Sequence, residues 1–135
     1  MAYSIASILG YLSVGFYLLA VFNYVIKALN KKYSEKIRQS DKLRQFFIWG
    51  MKHIVKNHKI FGFLTFTFFL AHSLIQYVLL GFNLTGMVAA GFLLAQVGLG
   101  FYGFRGKRKF KAWLPIHRGV GGFLLIFIIM HSLFT

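Results

Sequence analysis

The sequence contains no cysteine, one proline and, among 135 residues, only two acidic side chains, Glu35 and Asp41. Without cysteine there is no disulfide, no thiolate metal ligand, no iron–sulfur cluster and no covalently attached c-type haem, and histidine is left as the obvious strong metal ligand. Charge is missing altogether from three long runs, 4–26, 60–81 and 84–104. What stands in its place is apolar bulk, with 58% of residues hydrophobic and 19% aromatic. Such a chain has too little polar side chain to cover itself in water, and a bilayer is the solvent that accepts its apolar exterior. The net charge of +14 would in a soluble domain point to nucleic acid. Here the placement of the bases argues for a membrane role, and no nucleic-acid partner is expected.

Each uncharged run is long enough to cross a hydrocarbon layer of ~30 Å at ~1.5 Å per residue. Helices are therefore expected over 4–26, 60–81 and 84–104, with a fourth over 116–135 opened by Pro115, whose missing N–H costs nothing in a first turn. The first run is too long for a cleavable signal peptide and lacks its basic start, so it is expected to stay in the mature protein. Between the first two runs, residues 27–59 carry ten of the sixteen bases and both acids. Leu43, Phe46, Phe47, Met51, Ile54 and Val55 recur there at spacings of three and four, with Lys42, Gln45, Lys52 and Lys56 opposite. That is the pattern of a basic amphipathic helix, expected over 42–56 and lying in the membrane interface. The fold class expected is all-α: a single integral membrane domain, a four-helix transmembrane bundle with a short interfacial helix between helices one and two.

The remaining six bases lie in 105–118, including the cluster Lys107, Arg108, Lys109 and Lys111. Every base then falls on one side of a four-helix topology. By the positive-inside rule that side is cytoplasmic, both termini face outward, and the membrane is expected to be the cytoplasmic one. Trp49 and Trp113 fall at the same interface, where amphipathic rings commonly sit.

Helices two and four each carry two histidines fourteen residues apart, His58 with His72 and His117 with His131. Fourteen residues at ~100° each fall ~40° short of four turns, so both imidazoles leave one face, ~21 Å apart along the axis. The second of each pair opens His-Ser-Leu, and the first is followed by a base, Lys59 or Arg118, and four residues on by a glycine, Gly62 or Gly121. The two helices run the same way through the membrane, which pairs His58 with His117 near the inner face and His72 with His131 near the outer. A single histidine in an apolar helix is ordinarily a hydrogen-bonded or proton-handling group. A metal bound without a macrocycle would recruit three or four protein ligands, with carboxylates or thiolates among them. Two imidazoles per layer, with no carboxylate near, suit a planar macrocycle that supplies four nitrogens of its own, and two b-type haems are the expected cofactors. His53, beside Lys52 in the basic segment, is read as a solvated surface residue.

Gly86 and Gly100, also fourteen apart, lie on the third helix, where a missing Cβ would let a ring lie close to the backbone. With Gly62 and Gly121 they are candidate haem contacts, the alternative being ordinary small-residue packing. Lys59 and Arg118 are candidates to neutralise haem propionates.

Two histidines separated by thirteen residues on each of two parallel helices resemble the dihaem core of cytochrome b of quinol:cytochrome c oxidoreductases. They also resemble the membrane domain of the ferric reductase and NADPH oxidase superfamily, whose histidine helices open with His, a base and a nearby glycine. The resemblance implies that His58, His72, His117 and His131 are the axial ligands of two haems and that electrons cross the membrane between them. It departs from those families in lacking a Gly-rich dinucleotide fingerprint and the Pro-Glu-Trp-Tyr type of quinol-site motif. An electron-transfer cytochrome or oxidoreductase subunit is thus expected rather than a self-sufficient enzyme, with no catalytic residue of its own. Its expected partners are a redox donor such as an acidic cytoplasmic flavoprotein and an acceptor such as a quinone or an extracytoplasmic molecule. Dimerisation would suit so small a scaffold. A haem-bearing anchor subunit of a larger quinone-linked oxidoreductase, and a haem-free adaptor or proton-handling protein, are the competing readings.

Overall fold

The protein is described from a computed structural model, which defines residues 2–81, 83–105 and 111–134. It is all-α. Among the described residues six helices follow in order: α1 (Ala2–Lys32), α2 (Ser34–Gln39), α3 (Asp41–Gly50), α4 (His58–Leu80), α5 (Leu84–Phe104) and α6 (Trp113–Phe134), with a π-helical turn over Met51–Val55. Four of them, α1, α4, α5 and α6, are long and apolar enough to cross a membrane. Large apolar side chains stand on their outsides, Tyr11, Val78 and Leu133 among them, each at least three-quarters exposed. Those side chains require a lipid exterior, and the chain is an integral membrane protein of four membrane-length helices.

Between the first two, the helix expected over 42–56 is present as α3 with the π turn that follows it, and the shorter α2 precedes it. α1 carries its hydrogen bonding past the apolar run to Lys31 and Lys32 in its last turn, where bases favour the carbonyl end of the dipole. α2 is a short helix, and α3 passes directly into the π turn, in which the Lys56 N–H reaches back five residues to the Met51 carbonyl. Phe46, Ile48 and Trp49 of α3 are all more than half exposed, the outward apolar side of an interfacial segment.

The chain divides into two compact units, Ser7–Phe69 and Met1–Ala6 with Leu70–Thr135. Inside the first, Phe16 of α1 stacks on Phe61 and Phe68 of α4, at 6.4 and 5.6 Å between ring centres. Buried Ser13 donates to the Thr65 carbonyl at 3.0 Å, while the Thr65 hydroxyl, also buried, bonds back to Phe61 one turn earlier. Ser13→Ala is expected to cost about 1 kcal/mol, read from thermal unfolding in detergent, because an interhelical hydrogen bond in a membrane is worth about that much. Nearer the basic segment Ile26, Ile37 and Ile54 are buried, and Gly50 leaves room for Ile26.

In the second unit α5 packs along α6. Phe92 stacks on Phe123 and Phe127, and Leu124 is almost wholly buried. Gly81 ends α4 in a left-handed conformation at φ +74°, the usual glycine stop. Asn83 then caps α5, its side-chain oxygen taking the Gly86 N–H at 3.0 Å. α6 starts two residues ahead of Pro115, which falls in the first turn where no N–H is needed. Gly103 is buried against the Trp113 ring, where a Cβ would collide with it. Gly103→Ala is accordingly expected to destabilise the α5–α6 unit by about 1–3 kcal/mol, the ordinary cost of overpacking, in the same unfolding measurement.

Candidate functional site

Two of the histidines are held by the backbone of α1. The His58 Nδ1 lies 3.1 Å from the Ala20 carbonyl, inside the first unit. In the second, the His72 Nδ1 lies 2.9 Å from the Ala6 carbonyl. A carbonyl can only accept, so each ring carries a hydrogen on Nδ1. Ala6 and Ala20 stand fourteen residues apart, as the two histidines do, and Ser13 and Thr65 fall midway between them. Both alanines are buried, and a methyl in place of a longer side chain lets an imidazole reach a helix carbonyl already used inside the helix.

His131 on α6 is held by side chains instead. Its Nδ1 lies 3.0 Å from the Thr85 hydroxyl, which donates to the Asn83 side-chain oxygen at 2.7 Å. The His131 ring faces His72, with 6.4 Å between centres and 78° between planes. Gly86 sits against His131: a Cβ there would lie 3.2 Å from its Cε1.

His117, four turns earlier on α6, has a different environment. The Gln96 amide nitrogen is 3.3 Å from its Nε2, and the Trp113 ring is 6.2 Å away. A Cβ on Gly100 would lie 3.8 Å from the His117 Cε1, and one on Gly121 would meet the Gln96 amide at 3.1 Å. Gly121 is thereby the room that Gln96 occupies, whereas a Cβ on Gly62 would meet nothing within 4 Å. Lys59 and Arg118 are both exposed at the starts of α4 and α6. His53 is exposed on the π turn, 5.3 Å from the Trp49 ring. Lys107, Arg108 and Lys109 lie outside the described residues.

No family model, curated protein or solved structure matches the chain. His72 and His131 are brought together with their rings nearly perpendicular, and Gly86 and Gly100 each lie against a histidine ring. No group of three or more histidine or acidic side chains with metal-binding spacing exists among the described residues. Four participants were not singled out in the sequence. Ala6 and Ala20 had a usable signal, a fourteen-residue alanine spacing on a helix antiparallel to α4. Gln96 had one too, as a polar side chain in the middle of an apolar helix. Thr85 had none, because its role depends on how α5 is rotated toward α6.

Proposed function

We propose that this chain is a transmembrane dihaem cytochrome b that passes electrons between the two membrane faces. His72 and His131 would ligate one haem, and His58 and His117 the other. The observation that supports it most is the approach of the His72 and His131 rings, each with its Nδ1 within hydrogen-bond distance of an oxygen. The two rings stand with their centres 6.4 Å apart, no carboxylate is expected beside them, and together they would hold a haem whose macrocycle supplies the other nitrogens. Oxygen acceptors on the second ring nitrogen are what fix the tautomer and orientation of ligating histidines. The residues present therefore fit the group at this pair. The assignment of His58 with His117 rests on their matching sequence register, and His58 adds the same Nδ1–carbonyl arrangement as His72.

Haem supplies a one-electron couple, and two protein ligands leave it no open position for substrate. The chain's own part is to hold four imidazoles in register, to keep them from water in an apolar environment, and, at His58, His72 and His131, to set basicity through Nδ1. Gly86 and Gly100 keep the backbone of α5 clear of the His131 and His117 rings. Lys59 and Arg118 would meet propionate charge at the inner face, and the bases of 105–118 would dock an acidic donor such as a flavoprotein. Neutralising Lys107, Arg108, Lys109 and Lys111 is expected to remove the salt dependence of the reduction rate by such a donor, measured by stopped flow at varied ionic strength. With those bases cytoplasmic and both termini outside, the acceptor would be a quinone or an extracytoplasmic molecule. A homodimer is compatible with so small a scaffold.

The test is electron passage through sealed vesicles that hold an impermeant oxidant inside, with an impermeant reductant outside. Haem-loaded protein is expected to reduce the trapped oxidant, and His72→Ala to bring the rate to that of empty vesicles. Equal rates with and without the protein would overturn the proposal.

A further inference from the structure

Of the three histidines whose Nδ1 meets an oxygen, His131 is the one held by a side chain, so its anchor can be changed by substitution. Asn83 is an acceptor toward α5, since its Oδ1 takes the Gly86 N–H at 3.0 Å. The same Oδ1 lies 2.7 Å from the Thr85 hydroxyl. Two oxygens at that distance need a hydrogen between them, and only Thr85 has one to give. Its single hydrogen is thus spent on Asn83, and what it offers His131 at 3.0 Å is a lone pair.

Other hydroxyls in these helices behave otherwise. Thr65, Thr67 and Ser132 each donate to the carbonyl one turn back in their own helix. Thr85, second residue of α5, has no carbonyl of that helix one turn behind it. Its place in the first turn, with the capping asparagine two residues before it, is what turns the hydroxyl into an acceptor.

We infer that Thr85, oriented by Asn83, is the positioning residue of His131: it holds the imidazole as the Nδ1–H tautomer and presents the Nε2 lone pair toward His72. For haem this rests on the function proposed above; the tautomer itself does not. A hydrogen bond from Nδ1–H makes Nε2 a stronger electron donor, which favours the ferric state of a ligated iron. Removing it shifts the couple toward ferrous.

The test uses the full chain in detergent micelles and three variants, Thr85→Val, Thr85→Ser and Asn83→Ala. In the haem-free protein, the 15N shifts of the His131 ring are expected to report the Nδ1–H tautomer in the wild type and Thr85→Ser. Thr85→Val is expected to give a mixture, because valine keeps the shape and loses the acceptor. Asn83→Ala keeps the hydroxyl but releases its hydrogen, so a mixture is expected there as well, and it serves should Thr85→Val not fold. In haem-loaded protein, the midpoint potential of the haem that His131→Ala removes is expected to rise in Thr85→Val. A tenfold change in the ferrous-to-ferric ratio is ~59 mV for one electron, and Thr85→Ser should restore the wild-type value. An unchanged tautomer in both Thr85→Val and Asn83→Ala, or an Nε2–H tautomer in the wild type, would overturn the inference. Folded protein that takes up no haem would sink the proposed function while leaving the tautomer result to stand by itself.

Discussion

His72→Ala is expected to lower the haem content from two per chain to one. Loss of a ligand should exceed the ~10–100-fold affinity cost of losing only a ligand's outer hydrogen-bond partner. His131→Ala should remove the same haem, because the two rings stand 6.4 Å apart and, on the proposed function, would share one haem. The double variant should then lose no more than either alone, which is the behaviour of residues acting as a unit. His53→Ala is the matched control. That ring is exposed on the π turn against Trp49, and both haems should survive its removal. Haem-to-protein ratios from pyridine haemochrome spectra decide the matter. Four independent single losses, or none, would contradict a paired arrangement.

The second large effect is steric. Gly86→Leu should abolish the haem proposed for His72 and His131 while sparing the one proposed for His58 and His117, because a Cβ at Gly86 already meets the His131 ring at 3.2 Å and the rest of a leucine has to displace it. Gly98→Leu on the same helix should bind both haems, since Gly98 is exposed and a Cβ there meets nothing within 4 Å. Comparing the two separates loss of space beside the histidine from the general effect of replacing a helix glycine, which by itself favours the helix. Haem content again gives the answer, with circular dichroism to show that both variants are folded.

Much of the architecture was legible in the sequence for a simple physical reason. A helix that must satisfy its own backbone in lipid needs a long uncharged run, and three such runs and a histidine-bearing fourth are plain in the residue order. The short helix between the first two was legible over 42–56 from its three-and-four spacing, although α2 before it and the π turn that ends it were not. The register of His72 and His131 was legible because a 3.6-residue period fixes which residues share a face. What holds their rings was harder to read. The acceptors for His58 and His72 are backbone carbonyls, which every residue has, and only the smallness of Ala6 and Ala20 marks the place. Gln96 beside His117 and Thr85 beside His131 depend on the rotation of α5 against α6, which no spacing within one helix encodes.

The chain's central chemistry comes down to whether two imidazole pairs each hold an iron porphyrin. The most direct measurement is the haem stoichiometry of the purified protein, expressed with ample haem, together with its oxidised and dithionite-reduced spectra. Two non-covalent b-type haems per chain, both low-spin and both reducible, are the predicted result. Folded, colourless protein would contradict it.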